Sequence, residues 1–404
     1  MNTSLPWVLR RFWIRSVAAF LMMLLLTYLE ARAGNPGERF GPLVDPLFGD
    51  LLEYLPTFRL LHSAAFFTDP TVPHVAYPPA GAALLALLYT GGHPVLVYLT
   101  VAALWLGIVI VLVSRQLAAS GISEHISFLF PLTLLAVTFP VAGLLQRGNI
   151  ELFVWILCAS GCWAYRHCRN SSAAFLWGLA AAIKLYPILF LVLLLSRRKY
   201  RALFFGLGSC ALTSTLAILY LGPIFSMAWA GSLHNVLNYQ GIRISDWTTH
   251  DLSANHSVFT LLEAAAKAAN HSPASLAKSY IVWGLLFFAG LYVTRLRRMP
   301  EPNQLLAVSV FIVAFPPTSY FYTLVELYPA FLVLAFLALS VDQNGTQVNG
   351  LSMTIQFFVP LFASFTLFTF RQVGMFGGPI QAFFLLVLLV CGAVFPFVES
   401  SAAV

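Results

Sequence analysis

Five ionisable side chains, Asp45, Asp50, Glu53, Arg59 and Asp69, crowd into one stretch directly after the first apolar run, in a chain only 9% charged. A carboxylate beside a bilayer is costly unless it faces water or a partner, so this cluster is where chemistry is expected. Asp50 and Tyr54 are one helical turn apart, which predicts one shared helix face. Leu51, Leu52, Leu55 and Phe58 supply an apolar flank, as in a helix lying along a membrane surface, although a solvated loop helix would read the same way.

Other polar residues stand out against the apolar background. Arg147, in Gln146-Arg147-Gly148-Asn149, can fork two hydrogen bonds to a phosphate at headgroup level or anchor a span by snorkelling. Lys184 sits at Lys184-Leu185-Tyr186-Pro187, where the proline disfavours helix in the residue before it. A lysine buried there needs an anion, which a lipid phosphate, Glu151 or Glu326 would provide. Asn255-His256-Ser257 offers donors and acceptors for sugar hydroxyls, or a helix cap at Asn255. Tyr320 and Tyr322, after Pro316-Pro317, line a site or belong to an aromatic belt. Cys158 and Cys162 are one turn apart without a nearby His or carboxylate, so no metal site is expected.

These residues must be positioned by apolar helices. The chain has 404 residues, is 59% hydrophobic and has a mean hydropathy of +0.83. That composition predicts an all-α polytopic membrane protein of one integral domain, residues 1–404, with about eleven to twelve spans. The net charge of +7 does not suggest nucleic acid, because the basic residues fall in short clusters that mark cytoplasmic loops. The expected topology starts with Phe12–Ala31 leaving the cytoplasm and continues with a partial helix at 79–89. Spans follow at 95–113, 126–145 and 149–165. Residues 173–195 carry basic clusters at both ends, so a hairpin broken at Lys184 keeps both clusters inside. Further spans are expected at 202–221, about 280–292, 305–315 and 320–339, with two more in 340–404. Residues 34–78 and 222–278, each with short surface helices, form two outer loops. No clean inverted repeat is visible, which disfavours a transporter without excluding one.

Taken together, Asp50-Leu-Leu-Glu-Tyr54, Tyr77-Pro-Pro79, Arg147-Gly-Asn149, Ile183-Lys-Leu-Tyr-Pro187, Asn255-His-Ser257 and Ser319-Tyr-Phe-Tyr322 resemble glycosyltransferase family 87, over roughly residues 10–340. The resemblance implies a GT-C fold with its active site at the outer face of a cell inner or plasma membrane. It implies transfer of a sugar, mannose in polyprenyl-phosphate-mannose-dependent relatives, to a lipid or glycan acceptor with inversion. Asp50 maps onto the family's general base. Arg147, Lys184 and Tyr186 are then expected at the donor phosphate. Tyr54, Tyr77, Asn149, Asn255, His256, Tyr320 and Tyr322 are expected at the substrates. No cofactor or metal is implied; the partners are the polyprenyl-phosphate donor, the acceptor and membrane lipids, not nucleic acid. The family's Asn-Gln-Ser stands here as Asn255-His256-Ser257, and its Ser-Trp-Thr-His-His run as Ser319-Tyr-Phe-Tyr-Thr323. A carrier or flippase for lipid-linked sugars is the alternative, since it would use the same lysine and cavity without a base.

Overall fold

A computed structural model describes residues 5–32, 46–245, 255–269, 274–344, 350–363 and 377–398. Asp45, named above in the charged cluster, lies outside the described residues. Among the described residues the fold is helical, with one isolated bridge pairing Asn255 and Tyr320. It is an all-α polytopic membrane fold.

The helices follow the apolar runs. Helix α1 (Trp7–Arg32) precedes three one-turn helices, α2 (Gly49–Leu52), α3 (Leu55–Phe58) and α4 (Ala65–Thr68). Then come α5 (Pro79–Thr90), α6 (Pro94–Ala119), α7 (Glu124–Val137), α8 (Phe139–Arg147), α9 (Glu151–Arg166) and α10 (Asn170–Ile183). A 3-10 segment, Tyr186–Leu191, leads into α11 (Val192–Ser196), α12 (Tyr200–Leu221) and α13 (Phe225–Ser245). The chain continues through α14 (Phe259–Ala268), α15 (Ala274–Thr294), α16 (Glu301–Ala314), α17 (Tyr328–Asn344), α18 (Leu351–Gln356), α19 (Phe358–Phe362) and α20 (Gly377–Val394).

Five described helices are long and apolar enough to cross a bilayer, or six if the bent α7–α8 pair is one span. Five further apolar helices have only 10–17 residues, short of the roughly 20 that a full crossing takes. Several of the anticipated spans are therefore interrupted. The 126–145 segment bends by 58° between α7 and α8, where Thr138 is extended and Pro140 lacks the N–H that a continuous helix needs. The break at Lys184 lies where expected: α10 stops at Ile183, and Lys184 is extended (φ −139°, ψ 135°). Asp50 and Tyr54 do not share a helix, a correction to the predicted surface helix. The chain leaves α2 after Leu52, and Tyr54 caps α3, which carries a proline in its first turn. The expected short helices after Gly222 also need correcting, since α13 alone runs for 21 residues.

The chain forms two compact units, one of residues 1–44, 103–143 and 247–404, the other of 45–102 and 144–246. In the first, α16 is the core element, with every residue from Asn303 to Ala314 buried. Asn303 donates from Nδ2 to the Gly392 and Phe395 carbonyls, 2.7 Å each, fixing α16 against the end of α20. An aromatic cluster of Phe12, Phe331, Phe358 and Phe362 joins α1, α17 and α19. In the second, α10 packs between α9 and α12. The α10–α12 crossing is tight because Gly178 faces Gly206 and Ser209; a Cβ at Gly178 would lie 2.0 Å from Ser209 Oγ.

Candidate active site

The second unit gathers most of the chemically able residues through three local devices. The first is the α2 turn: Phe48 takes a left-handed conformation before it (φ 58°), and its N–H donates to the Gln146 carbonyl at 2.6 Å. That hydrogen bond sets α2, with Asp50 on it, against the end of α8. The second is Gly148 (φ 65°), which turns the chain from α8 into α9. A Cβ there would come 2.9 Å from the Leu51 Cβ, so glycine permits both the turn and the close approach of α2. The third is the helix break at 184–187, which ends α10 facing the start of α9.

Asp50 is 8% exposed. One of its carboxylate oxygens accepts from Arg147 Nη2, and the other from Asn149 Nδ2 at 2.6 Å. Asn149 is the hub. Its Nδ2 also reaches the Tyr77 hydroxyl at 3.3 Å, while its Oδ1 accepts from the Glu151 N–H at 2.9 Å and from Lys184 Nζ at 3.1 Å. Lys184 Nζ lies 2.6 Å from Glu151 Oε2, and the Tyr186 hydroxyl donates to Glu151 Oε1. Tyr98 ties down the turn by donating to the Leu144 and Asn149 carbonyls at 3.0 and 3.3 Å. Tyr54 stacks edge-on to Tyr77, centroids 5.9 Å apart, and Lys184 Nζ sits 5.6 Å from the Tyr77 ring centroid. Asp50, Tyr54, Tyr77, Arg147, Asn149, Lys184 and Tyr186 thus form one connected network. Lys184 meets Glu151, which is fully buried.

Glu151 was legible only as one of two partners for Lys184. The signal was a carboxylate at the first turn of an apolar helix, two residues beyond Asn149, where an intramembrane acid needs a stated partner. Arg147 likewise meets a carboxylate in this structure, while 31% of its side chain stays accessible.

The first unit holds the remaining sequence-derived residues. Asn255 and His256 are buried, at 4% and 0% exposure. Asn255 donates to the Pro317 carbonyl at 3.1 Å and accepts from the N–H groups of Ser257 and Ser319 at 3.1 and 2.8 Å. It braces its own turn and the 317–319 segment and does not cap α14, whose first N–H, at Phe259, donates to Ser257 Oγ at 3.0 Å. His256 Nε2 meets Ser319 Oγ at 3.0 Å and Thr323 Oγ1 at 3.2 Å, and burial lowers its pKa from 6.5 to about 3. The Asn-His-Ser and Ser-Tyr-Phe-Tyr runs are therefore stitched to each other. Tyr320 and Tyr322, half-buried, have ring centroids 6.0 Å apart. Among the described residues no group of three or more His, Cys, Asp or Glu side chains could hold a metal ion. Cys158 and Cys162 are buried.

Long apolar helices and a charge-paired network at a helix break define a polytopic membrane protein with a built polar site. The family model of glycosyltransferase family 87 matches residues 75–319, and the chain belongs to that family. It is a membrane glycosyltransferase, which favours transfer over the carrier alternative. The match takes in Tyr77, Arg147, Asn149, Lys184, Tyr186, Asn255 and His256. Asp50, Tyr54, Tyr320 and Tyr322 lie outside it. Comparison with curated proteins and with solved structures returns no match.

Proposed function

We propose that the enzyme moves a sugar, mannose, from a polyprenyl-phosphate donor to a hydroxyl of a lipid or glycan acceptor, with Asp50 as general base. The observation that carries this reading is the pairing of Asp50 with Arg147 and Asn149 in the network that Lys184 and Tyr186 complete. The acceptor oxygen attacks the anomeric carbon while its proton passes to an Asp50 oxygen. The bond from that carbon to the phosphate oxygen breaks, and its electron pair leaves with the polyprenyl phosphate. A single displacement of this kind inverts the anomeric centre.

Arg147 serves both partners. In the present geometry it holds Asp50, and its accessible part can turn to a phosphate, whose oxygens suit the planar guanidinium. That exchange leaves an Asp50 oxygen free to accept the hydroxyl proton, while Asn149 still fixes the carboxylate. Lys184 adds positive charge beside the developing phosphate dianion, and cations aimed at developing charge lower the barrier. Tyr54 and Tyr77 offer ring faces to the sugar. Asn255 and His256 act by holding the Ser319–Thr323 segment in place.

The site faces the periplasm or exterior of a cell inner or plasma membrane. The support is the basic clusters at Arg10–Arg15, Arg166–Arg169 and Arg197–Arg201, which mark the opposite, cytoplasmic side. The test is transfer in detergent from a synthetic polyprenyl-phosphate mannose to glycolipid acceptors, read by mass spectrometry. A new glycosidic bond of inverted configuration is expected. Transfer only from a nucleotide sugar would overturn the donor assignment.

A further inference from the structure

We propose a second binding site, for the phosphate headgroup of an anionic membrane phospholipid, at the end of α10 remote from Lys184. An open cavity of about 680 Å³ lies where the α9–α10 and α11–α12 turns meet. Arg169, Arg198, Lys199 and Arg201 line it together with Ser171 and Ser172, and no carboxylate does. All four cations are exposed, and among the described residues none of them pairs with an acid. Four positive charges converging on one concavity without counter-charge repel each other, and a bound anion relieves that repulsion. The tendency of basic residues to collect in cytoplasmic loops explains their presence, not their convergence from two separate turns.

The two turns share one backbone shape. Cys168 and Arg198 take left-handed φ values of 58° and 53°, and Arg169 and Lys199 then occupy the cap positions of α10 and α12. A cation at a helix start opposes the helix dipole, whereas an anion there is favoured.

The surroundings decide between a lipid and a soluble phosphate. Leading away from the cavity along its own length, α12 exposes Tyr200, Phe204, Phe205, Leu212, Leu216 and Leu219, and Phe205 stacks on Phe175 of α10 at 6.0 Å. A ligand with a phosphate head and apolar chains meets both surfaces; a free phosphate uses only one. Basic pockets between membrane helices suit such headgroups. Helix α10, 14 residues long, separates this site from Lys184 by about 20 Å at 1.5 Å per residue, so the lipid is not the sugar donor in its reactive position.

The test is native mass spectrometry of the full-length protein in detergent with added phosphatidylglycerol, phosphatidylcholine or glycerol 3-phosphate. Phosphatidylglycerol is expected to be retained at least about tenfold over phosphatidylcholine, because each basic residue near an anionic headgroup adds to the preference. Arg198→Gln/Lys199→Gln/Arg201→Gln should abolish that preference, whereas Arg10→Gln/Arg11→Gln, on exposed residues of α1, should keep it. If the triple variant does not fold, Arg201→Gln alone should weaken retention. Equal retention of both lipids, an unchanged preference in the pocket variant, equal loss in both variants, or full competition by glycerol 3-phosphate would each overturn the proposal.

Discussion

Asp50 accepts a hydrogen bond at each carboxylate oxygen from a different side chain, so its orientation is set before any substrate arrives. That preorganisation is what a general base needs, since proton transfer requires hydrogen-bond reach more than basicity alone. Glu151 does the same for Lys184 and Tyr186 and is fully buried. Removing one partner of a buried pair leaves an uncompensated charge, so Glu151→Ala should cost about 3 kcal/mol of stability. Glu151→Leu/Lys184→Met should cost less than Glu151→Ala alone, as apparent melting temperatures in detergent would show. A larger loss in the double variant would contradict the pairing. His256 gives a pH signature. Its folded pKa lies near 3 against an ordinary 6.5, so the unfolded chain binds its proton first as pH falls. Stability contributed by neutral His256 is complete above about pH 6.5 and declines below it, by about 1.4 kcal/mol per pH unit until the folded value is reached. His256→Gln should flatten the melting temperature between pH 7 and 5 relative to wild type. Lys184, Arg147 and Asn149 were legible in the sequence because a polar residue in an apolar run is rare. Which acid each cation meets was not, because partner choice depends on tertiary contact.

At the scale of elements, the site depends on where helices stop. The break after Ile183 was legible, since Pro187 and a lysine at membrane depth both argue against a continuous helix. The break between α2 and α3 was not: a leucine-rich run reads as one helix, and a proline such as Pro56 is equally tolerated in a helix's first turn, so it does not by itself mark where a new helix begins. Gly148 carries a conformation that favours glycine and a contact that forbids a side chain. Gly148→Ala should destabilise the protein by about 1–3 kcal/mol. It should lower turnover more than donor affinity, because it displaces Asn149 and Arg147 together from Asp50. Unchanged turnover in steady-state kinetics would show that the turn does not position the site. Gly178→Val should separate α10 from α12, where even a methyl meets Ser209 and the Gly206 carbonyl. Loss of a monodisperse peak on size exclusion would report it.

For the whole molecule, the class was plain from composition, because a chain so apolar cannot be a water-soluble domain. The division into two units was not, since residues 103–143 join 247–404 through contacts far apart in sequence. The orientation can be tested with a native residue. Cys168 is exposed, whereas Cys158, Cys162 and Cys391 are buried. In the proposed topology a membrane-impermeant maleimide should label Cys168 in inside-out vesicles and not in right-side-out ones, with a cysteine placed at Arg198 behaving identically. Labelling of the two turns from opposite sides would break the hairpin on which the position of Lys184 rests. The most direct test of the account is turnover of purified Asp50→Asn with polyprenyl-phosphate mannose and a confirmed acceptor. Turnover should fall at least about a hundredfold, the size of a lost general base, with the melting temperature and donor binding close to wild type. Near wild-type turnover would contradict it.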